Sequence, residues 1–164
     1  ATGRLSTSDP NLQNIPVRDD DGKEIRRCFI PEPGCLFFSA DYSQIELRVL
    51  AHLSGEKKLL DAFIEHRDIH TETASWVFGQ PAEDISPEQR RFAKVVNFGL
   101  LYGMSAHGLA QRLGVTRSQA ASMVDRYFSV LPSVREYMSQ SVKDAKERGC
   151  TRSIFGRIRP LSEL

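Results

Sequence analysis

The rhythm of apolar and polar positions changes near residue 43. Before it, apolar residues come in short runs broken by proline and glycine; after it they recur every three or four residues, the period of a helix with one buried face. An extended first quarter followed by a helical remainder predicts an α+β fold that is predominantly helical. "CLFFSAD" (35–41), an apolar aromatic run between "PEPG" and a polar turn, predicts a buried strand ending near Asp41. Ser43 with Glu46 three residues on forms a capping box, and Ile45, Val49 and Leu53 then recur at helical spacing. The order is strand, turn, helix. A second helix is expected from about Asp68 to Phe78, closed by Gly79 and Pro81. "SPEQ" (86–89) starts a third, with Ser86 as cap, Pro87 in the first turn and Gln89 completing the box. Thr116 and Gln119 repeat the device before "AASMVDRYFSVL", and "SVREYMSQSVKDAKERG" predicts a last long helix ending at Gly149. The tail "TRSIFGRIRPLSEL" has β-compatible residues on either side of Gly156, the pattern of a hairpin.

The third helix carries unusual side chains. In "RRFAKVVNFGLLYG" (90–103), Arg90, Lys94, Phe98 and Tyr102 stand four residues apart, so they share one slanting strip about 18 Å long at 1.5 Å rise per residue. A guanidinium and an ammonium one turn apart suit a polyphosphate, and a ring further along suits a nucleobase. Cations at a helix amino terminus oppose the helix dipole, which also points to an anionic ligand. The alternative is that Val95, Val96, Leu100 and Leu101 are core while Arg90, Arg91 and Lys94 form a solvated basic end. Asp41 has two readings as well: a turn or capping residue, or a ligand for a hard cation at a strand terminus. Glu46 is explained by the capping box alone, and His70 fits an ordinary helix-surface histidine.

Composition narrows the class. The 164 residues are 40% apolar and 26% charged, ordinary globular values for one domain or part of a larger one. No apolar run approaches the roughly 20 residues that cross a bilayer, so no membrane association is expected. The first residues lack a charged leader and an apolar stretch, which reads as no secretory signal and a start within a longer protein. Cys28, Cys35 and Cys150 have no CxxC spacing, arguing against a disulfide framework and a zinc ribbon and for the cytoplasm. A net charge of +1 neither demands nor excludes nucleic acid. GxxxxGK[ST], GxGxxG and GxSxG are absent, and "HRD" (66–68) lacks the asparagine and companion motifs of a kinase catalytic loop.

Four segments, "TGRLSTSDPNLQNIP" (2–16), "DYSQIELRVLAHLSG" (41–55), "RDIHTETASWVFG" (67–79) and "RRFAKVVNFGLLYGMS" (90–105), resemble in order and spacing the polymerase domain of family A DNA polymerases. The stretch from about Gly108 is less diagnostic. The resemblance implies fingers helices attached to part of an antiparallel palm sheet of a right-hand polymerase fold. Residues 1–55 would be palm, 56–150 mostly fingers, and 151–164 the start of a return to the palm. The implied activity is template-directed DNA synthesis in replication or repair, on primer-template DNA and deoxynucleoside triphosphates, by an enzyme that is monomeric, cytoplasmic and nucleoid-associated. Asp41, with the Tyr42 carbonyl, would bind one of two Mg²⁺ ions. Arg90, Lys94 and His70 would hold the triphosphate, with Lys94 also a proton donor to pyrophosphate. Phe98 would pack on sugar and base, Tyr102 would guard the templating position, and Gln44 and Glu46 would border the sugar, Glu46 excluding a 2′-hydroxyl. Arg4, Asn11, Gln13 and Asn14 match positions that contact the duplex.

Phosphoryl transfer needs positioning and charge neutralisation more than covalent catalysis, which fits those residue types. The family's second aspartate lies in a His-Asp-Glu motif that residues 1–164 do not contain, and the thumb and any exonuclease domain fall outside the match. A partial polymerase domain, inert alone, is the expectation. Two other readings are a non-catalytic nucleotide- or DNA-binding module, opposed by the presence of Asp41, Lys94 and Tyr102 together, and a single-subunit RNA polymerase, opposed by Glu46.

Overall fold

The computed structural model describes residues 5–16 and 19–161; Arg4 and the last three residues of the tail lie outside them. The chain divides into two units, Ala1–Tyr42 and Ser43–Leu164.

In the first unit a single 3-10 turn, Leu12–Asn14, precedes helix α1, Asp20–Arg27. Asp19 caps α1 by accepting from the Gly22 amide at 2.7 Å, and Asp20 and Asp21 fill its first turn, where the dipole favours them. Gly22 packs on Pro16 so closely that a Cβ would come 2.6 Å from the Pro16 carbonyl oxygen. The sequence pattern did not reveal α1, because its eight residues are nearly all polar and show no apolar stripe.

Residues 35–41 correct the expected buried strand. They form no strand, and Leu36 and Phe38 are 93% and 91% exposed. A strand needs a neighbour for its backbone hydrogen bonds, and no described residue pairs with this run. The apolar character was read correctly; the partner it needs is not among the described residues.

The second unit is built of helices: α2 (Ile45–Ser54), α3 (Lys57–Ile64), α4 (Ile69–Phe78), α5 (Pro87–Leu101), α6 (Ala106–Leu113), α7 (Arg117–Val130) and α8 (Pro132–Arg148). A hairpin follows, with β1 (Cys150–Arg152) antiparallel to β2 (Ile158–Pro160) and Thr151 opposite Arg159. The predicted punctuation holds. Ser86 with Gln89 and Thr116 with Gln119 both form complete capping boxes, Asp68 caps α4, and Gly79 and Gly149 close α4 and α8. Helices α3 and α6 were not anticipated individually. Both are only two turns long, too short to declare a period.

Helix α2 differs from expectation at its start. Gln44, not Ser43, is the cap residue, in a left-handed conformation at φ 53°, and its side chain makes no capping bond. Ser43 therefore stands one residue too early to close a box with Glu46; instead its carbonyl accepts from Arg48 Nε at 2.9 Å. The stripe Ile45, Val49 and Leu53 is also the more exposed side of α2, while Leu47, Leu50 and Ala51 enter the core. Both sides of this helix are apolar, and periodicity cannot tell which one meets its neighbours.

One core joins all seven helices, through Leu47, Leu59, Ile69, Val96, Leu109, Tyr127 and Val134 among others. Helix α4 lies against α5 and α7, and α2 against α3 and α8. Glu56 ties two helix starts together. It caps α3 through Lys58 N, and its second oxygen accepts from Ser133 N at 3.0 Å in the first turn of α8. Burial, aided by the Glu56 charge, pushes the neighbouring Tyr127 hydroxyl upward.

Because Glu56 is buried and serves two amino termini, Glu56→Ala should cost about 2 to 3 kcal/mol, more than loss of a single cap. Chemical denaturation checks this, and an unshifted midpoint would remove Glu56 from the junction.

Candidate functional site

Helix α5 owes its position to an alternation of faces. Ala93, Val96, Asn97, Gly99 and Leu100 are buried, while Arg90, Lys94 and Tyr102 are exposed and Phe98 is half-buried. Arg90, Lys94 and Tyr102 thus share the outer side of the helix, and the inner residues pack as core. Tyr102 caps the helix just after its last residue, Leu101, and Gly103 turns the chain at φ 73°, a conformation that favours glycine.

The basic end is organised by α4. Arg90 Nε donates to Asp68 Oδ2 and Nη2 to Asp68 Oδ1, the latter at 3.2 Å, a forked pair. Asp68 also accepts from Thr71 Oγ1 at 2.6 Å and from the His70 amide. Burial by itself would raise the Asp68 carboxyl; the hydrogen bonds from Arg90 and Thr71 and the Arg90 charge outweigh it and bring the pKa to about 2. The arginine expected at a triphosphate is thus already oriented by a carboxylate that the sequence showed only as a helix cap.

His70 is not a surface histidine. It is 3% exposed, its ring centroid lies 5.7 Å from that of Phe98, and its Nδ1 is 3.2 Å from Asn97 Nδ2. Burial, then the positive charges of Arg90 and Lys94, pull it below its ordinary 6.5 against the opposing Asp68 carboxylate. Its placement puts an imidazole beside the ring and cations of the strip. Asn97 and Asp68 are the residues sequence reading missed. An amide among valines and leucines of a helix was the available signal, since a buried polar group must find partners.

At the other end of α5, Leu101 and Tyr102 form with Ile45, Glu46 and Val49 of α2 an open cavity of about 350 Å³. Glu46 and Tyr102 meet there, and Gln44 sits at the start of the same helix. Cations, rings and this cavity thus follow one another along α5. In the first unit, Asp41 and Tyr42 are exposed. Asn11 caps the 3-10 turn, Gln13 Nε2 donates to the Leu5 carbonyl at 3.0 Å, and Asn14 is exposed. Among the described residues no three His, Cys, Asp or Glu side chains group as a metal site. A carboxylate and a carbonyl oxygen match the taste of a hard cation but supply only part of its roughly six ligands.

The class defined here is a helical unit that lines up cations and aromatic rings along α5 and sets a buried imidazole of α4 beside them. The chain belongs to DNA polymerase family A, whose family model matches residues 1–164. Over its whole length it is 55% identical to the thermostable DNA polymerase I of Thermus aquaticus and 52% identical to DNA polymerase I of Pseudomonas aeruginosa. It spans 20% and 18% of those proteins, about a fifth of the curated relatives it matches. Its fold superposes on the POL domain of Pol1 from M. smegmatis, a structure in complex with DNA primer-template and dNTP. The TM-score is 0.89 at 42% identity, over 99% of this chain and 29% of that one. The expected fold class is borne out: eight α-helices and a two-stranded antiparallel sheet among the described residues. None of those helices is long and apolar enough to cross a membrane.

The lowered Asp68 pKa has a sign that can be tested. A carboxyl depressed from 3.8 to about 2 adds stability that is full above pH 3.8 and lost as pH falls through about 2. The side chains are 35% and 46% exposed, so solvent screening reduces the contribution to about 1 kcal/mol. Asp68→Asn should lower the melting temperature at pH 6 and flatten its fall between pH 4 and 2; parallel curves for the two proteins would contradict the assignment.

Proposed function

We propose that residues 1–164 form part of the polymerase domain of a DNA-directed DNA polymerase. It transfers a deoxynucleotidyl group from a deoxynucleoside triphosphate to a primer 3′-hydroxyl, releasing pyrophosphate, in replication or repair. The observation that carries this reading is the order along α5: Arg90 and Lys94 beside buried His70, then Phe98, then Tyr102 at the cavity it shares with Glu46.

Each side chain then has a task its chemistry suits. Arg90, already oriented by Asp68, and Lys94 face the triphosphate with a fork and a point charge. Lys94 can also deliver a proton to the departing pyrophosphate, while His70 offers a ring N–H to a phosphate oxygen. Phe98, with the His70 ring tilted against it, gives sugar and base an apolar floor. Tyr102 closes the cavity against the templating base, and Glu46, with Gln44 beside it, leaves no room for a 2′-hydroxyl. Asp41 and the Tyr42 carbonyl would hold Mg²⁺, which when bound neutralises phosphate charge and makes the primer hydroxyl more acidic.

Arg4, Asn11, Gln13 and Asn14 are assigned to the primer-template duplex. We assign residues 1–55 to the palm, 56–150 to the fingers and 151–164 to the return toward the palm. The exposed Leu36, Phe37 and Phe38 support pairing of 35–41 with further palm strands. A cytoplasmic, nucleoid-associated, monomeric enzyme is the setting that fits.

In the polymerase carrying these residues, Lys94→Ala should lower kcat by about 10²-fold or more, because the charge contact is made as pyrophosphate departs. Rapid-quench single-nucleotide incorporation measures it; an unaltered rate would put Lys94 on a merely solvated face. Glu46→Ala should relax the preference for deoxyribonucleotides, read as the ratio of kcat/KM for dNTP and rNTP. An unchanged ratio would refute the gate. Residues 1–164 alone, with Mg²⁺, dNTPs and primed template, should not extend the primer, since only one of two catalytic aspartates is present.

A further inference from the structure

Asn97 is 1% exposed and sits on the inner side of α5, one residue before Phe98. Its amide belongs to a chain of hydrogen bonds that couples α4 to α5. Thr73 Oγ1 donates to the Ile69 carbonyl at 2.7 Å, closer than Asn97 Oδ1 at 3.3 Å. The Thr73 oxygen receives from Asn97 Nδ2 at 3.1 Å, the shorter of the two amide contacts. The second Nδ2 proton faces His70 Nδ1 at 3.2 Å. With the amide oriented this way, Nδ1 is an acceptor and a neutral ring carries its proton on Nε2. Nε2 has no hydrogen bond within the described residues, and no buried side-chain nitrogen or oxygen there lacks a partner, so Nε2 keeps a small contact with solvent.

The charges acting on the ring are Asp68 at the cap of its own helix and Arg90 and Lys94 from α5; α3 and α7, also packed on α4, contribute none. Two cations against one anion, together with burial, favour the neutral ring.

We propose that Asn97 is a positioning residue: through Thr73 and its own amide it holds His70 as the Nε2–H tautomer, a neutral donor directed at a phosphate oxygen of the bound nucleotide. The inference rests on the reading that His70 meets the triphosphate. Its physical content is separate, because a tautomer can be observed without any nucleotide. A neutral donor grips phosphate without adding a third positive charge beside Arg90 and Lys94, and it cannot lose its grip by titrating near neutral pH.

The first measurement is the imidazole ¹⁵N spectrum of the histidine-labelled polymerase at pH 7.5, with His70 assigned by its disappearance in His70→Gln. A pyridine-type Nδ1 with a pyrrole-type Nε2 is expected. The reverse tautomer, or a charged ring, would overturn the proposal, and this holds even where an Asn97 variant fails to fold. In Asn97→Asp the carboxylate accepts from Nδ1, so the ring should take up a second proton and its titration should rise by about one pH unit or more.

The second measurement is nucleotide incorporation. Asn97→Leu should raise KM for dNTP roughly 5- to 20-fold with kcat within about threefold, and should add nothing in a His70→Gln background. The same added loss in that background would mean that Asn97 only packs the helices. If His70→Gln leaves KM unchanged, the contact with phosphate falls together with the reading beneath it, while the spectrum still decides the tautomer.

Discussion

The pairing of α4 with α5 is the constraint on which the candidate site depends. It is fastened at two levels. At the surface, Arg90 of α5 forks onto Asp68, the cap of α4. Inside, Asn97 reaches across to Thr73 and His70. Val77 and Ile69 on one side and Val96 and Leu100 on the other supply the apolar contact, which has no direction of its own. The polar bonds supply direction, because an unpartnered amide or hydroxyl in that interior would cost roughly 1 to 3 kcal/mol. A rotation or one-turn slip of α5 would break all of them together. The angle at which the strip faces outward is therefore set by groups that take no part in the strip.

One helix is thereby core on one side and an open strip of cations and rings on the other. Four-residue spacing keeps Arg90, Lys94, Phe98 and Tyr102 on one side, and the intervening Ala93, Val96 and Leu100 bury the other. His70 is the exception that joins the two, since it comes from the neighbouring helix yet touches Phe98 of the strip. The far end is shaped differently: α2 meets the end of α5 around Glu46 and Tyr102, and there the floor is aliphatic. A basic end and an apolar end thus lie about 18 Å apart at helical rise, and the proposed nucleotide site rests on that separation.

Punctuation was the most legible part of the fold. Ser86 with Gln89, Thr116 with Gln119, Asp68, Gly79 and Gly149 bound their helices where the sequence placed them, because a cap is a local bond between residues three or four apart. The short helices α1, α3 and α6 were hidden for want of a full period. The strand at 35–41 was expected from composition, yet a strand exists only with a partner, and Leu36 to Phe38 have none among the described residues. On α2 the apolar stripe Ile45, Val49 and Leu53 was seen, whereas Leu47 and Leu50 are the ones that face the core. The left-handed turn at Gln44, which displaced the cap from Ser43, has no signature in a residue other than glycine or asparagine.

By itself the sequence determined the capped starts of α5 and α7, the ends of α4 and α8, the four-residue spacing on α5 and, through four motifs, membership of DNA polymerase family A. These are matters of spacing along one chain, where covalent connection alone places one side chain beside the next. Tertiary structure decided that His70 is buried rather than surface-bound, that Asp68 orients Arg90, and that Asn97 meets Thr73 and His70. Those facts join residues more than twenty positions apart. They depend on which faces pack, and that is settled only when burial and hydrogen bonding are satisfied together for the whole unit.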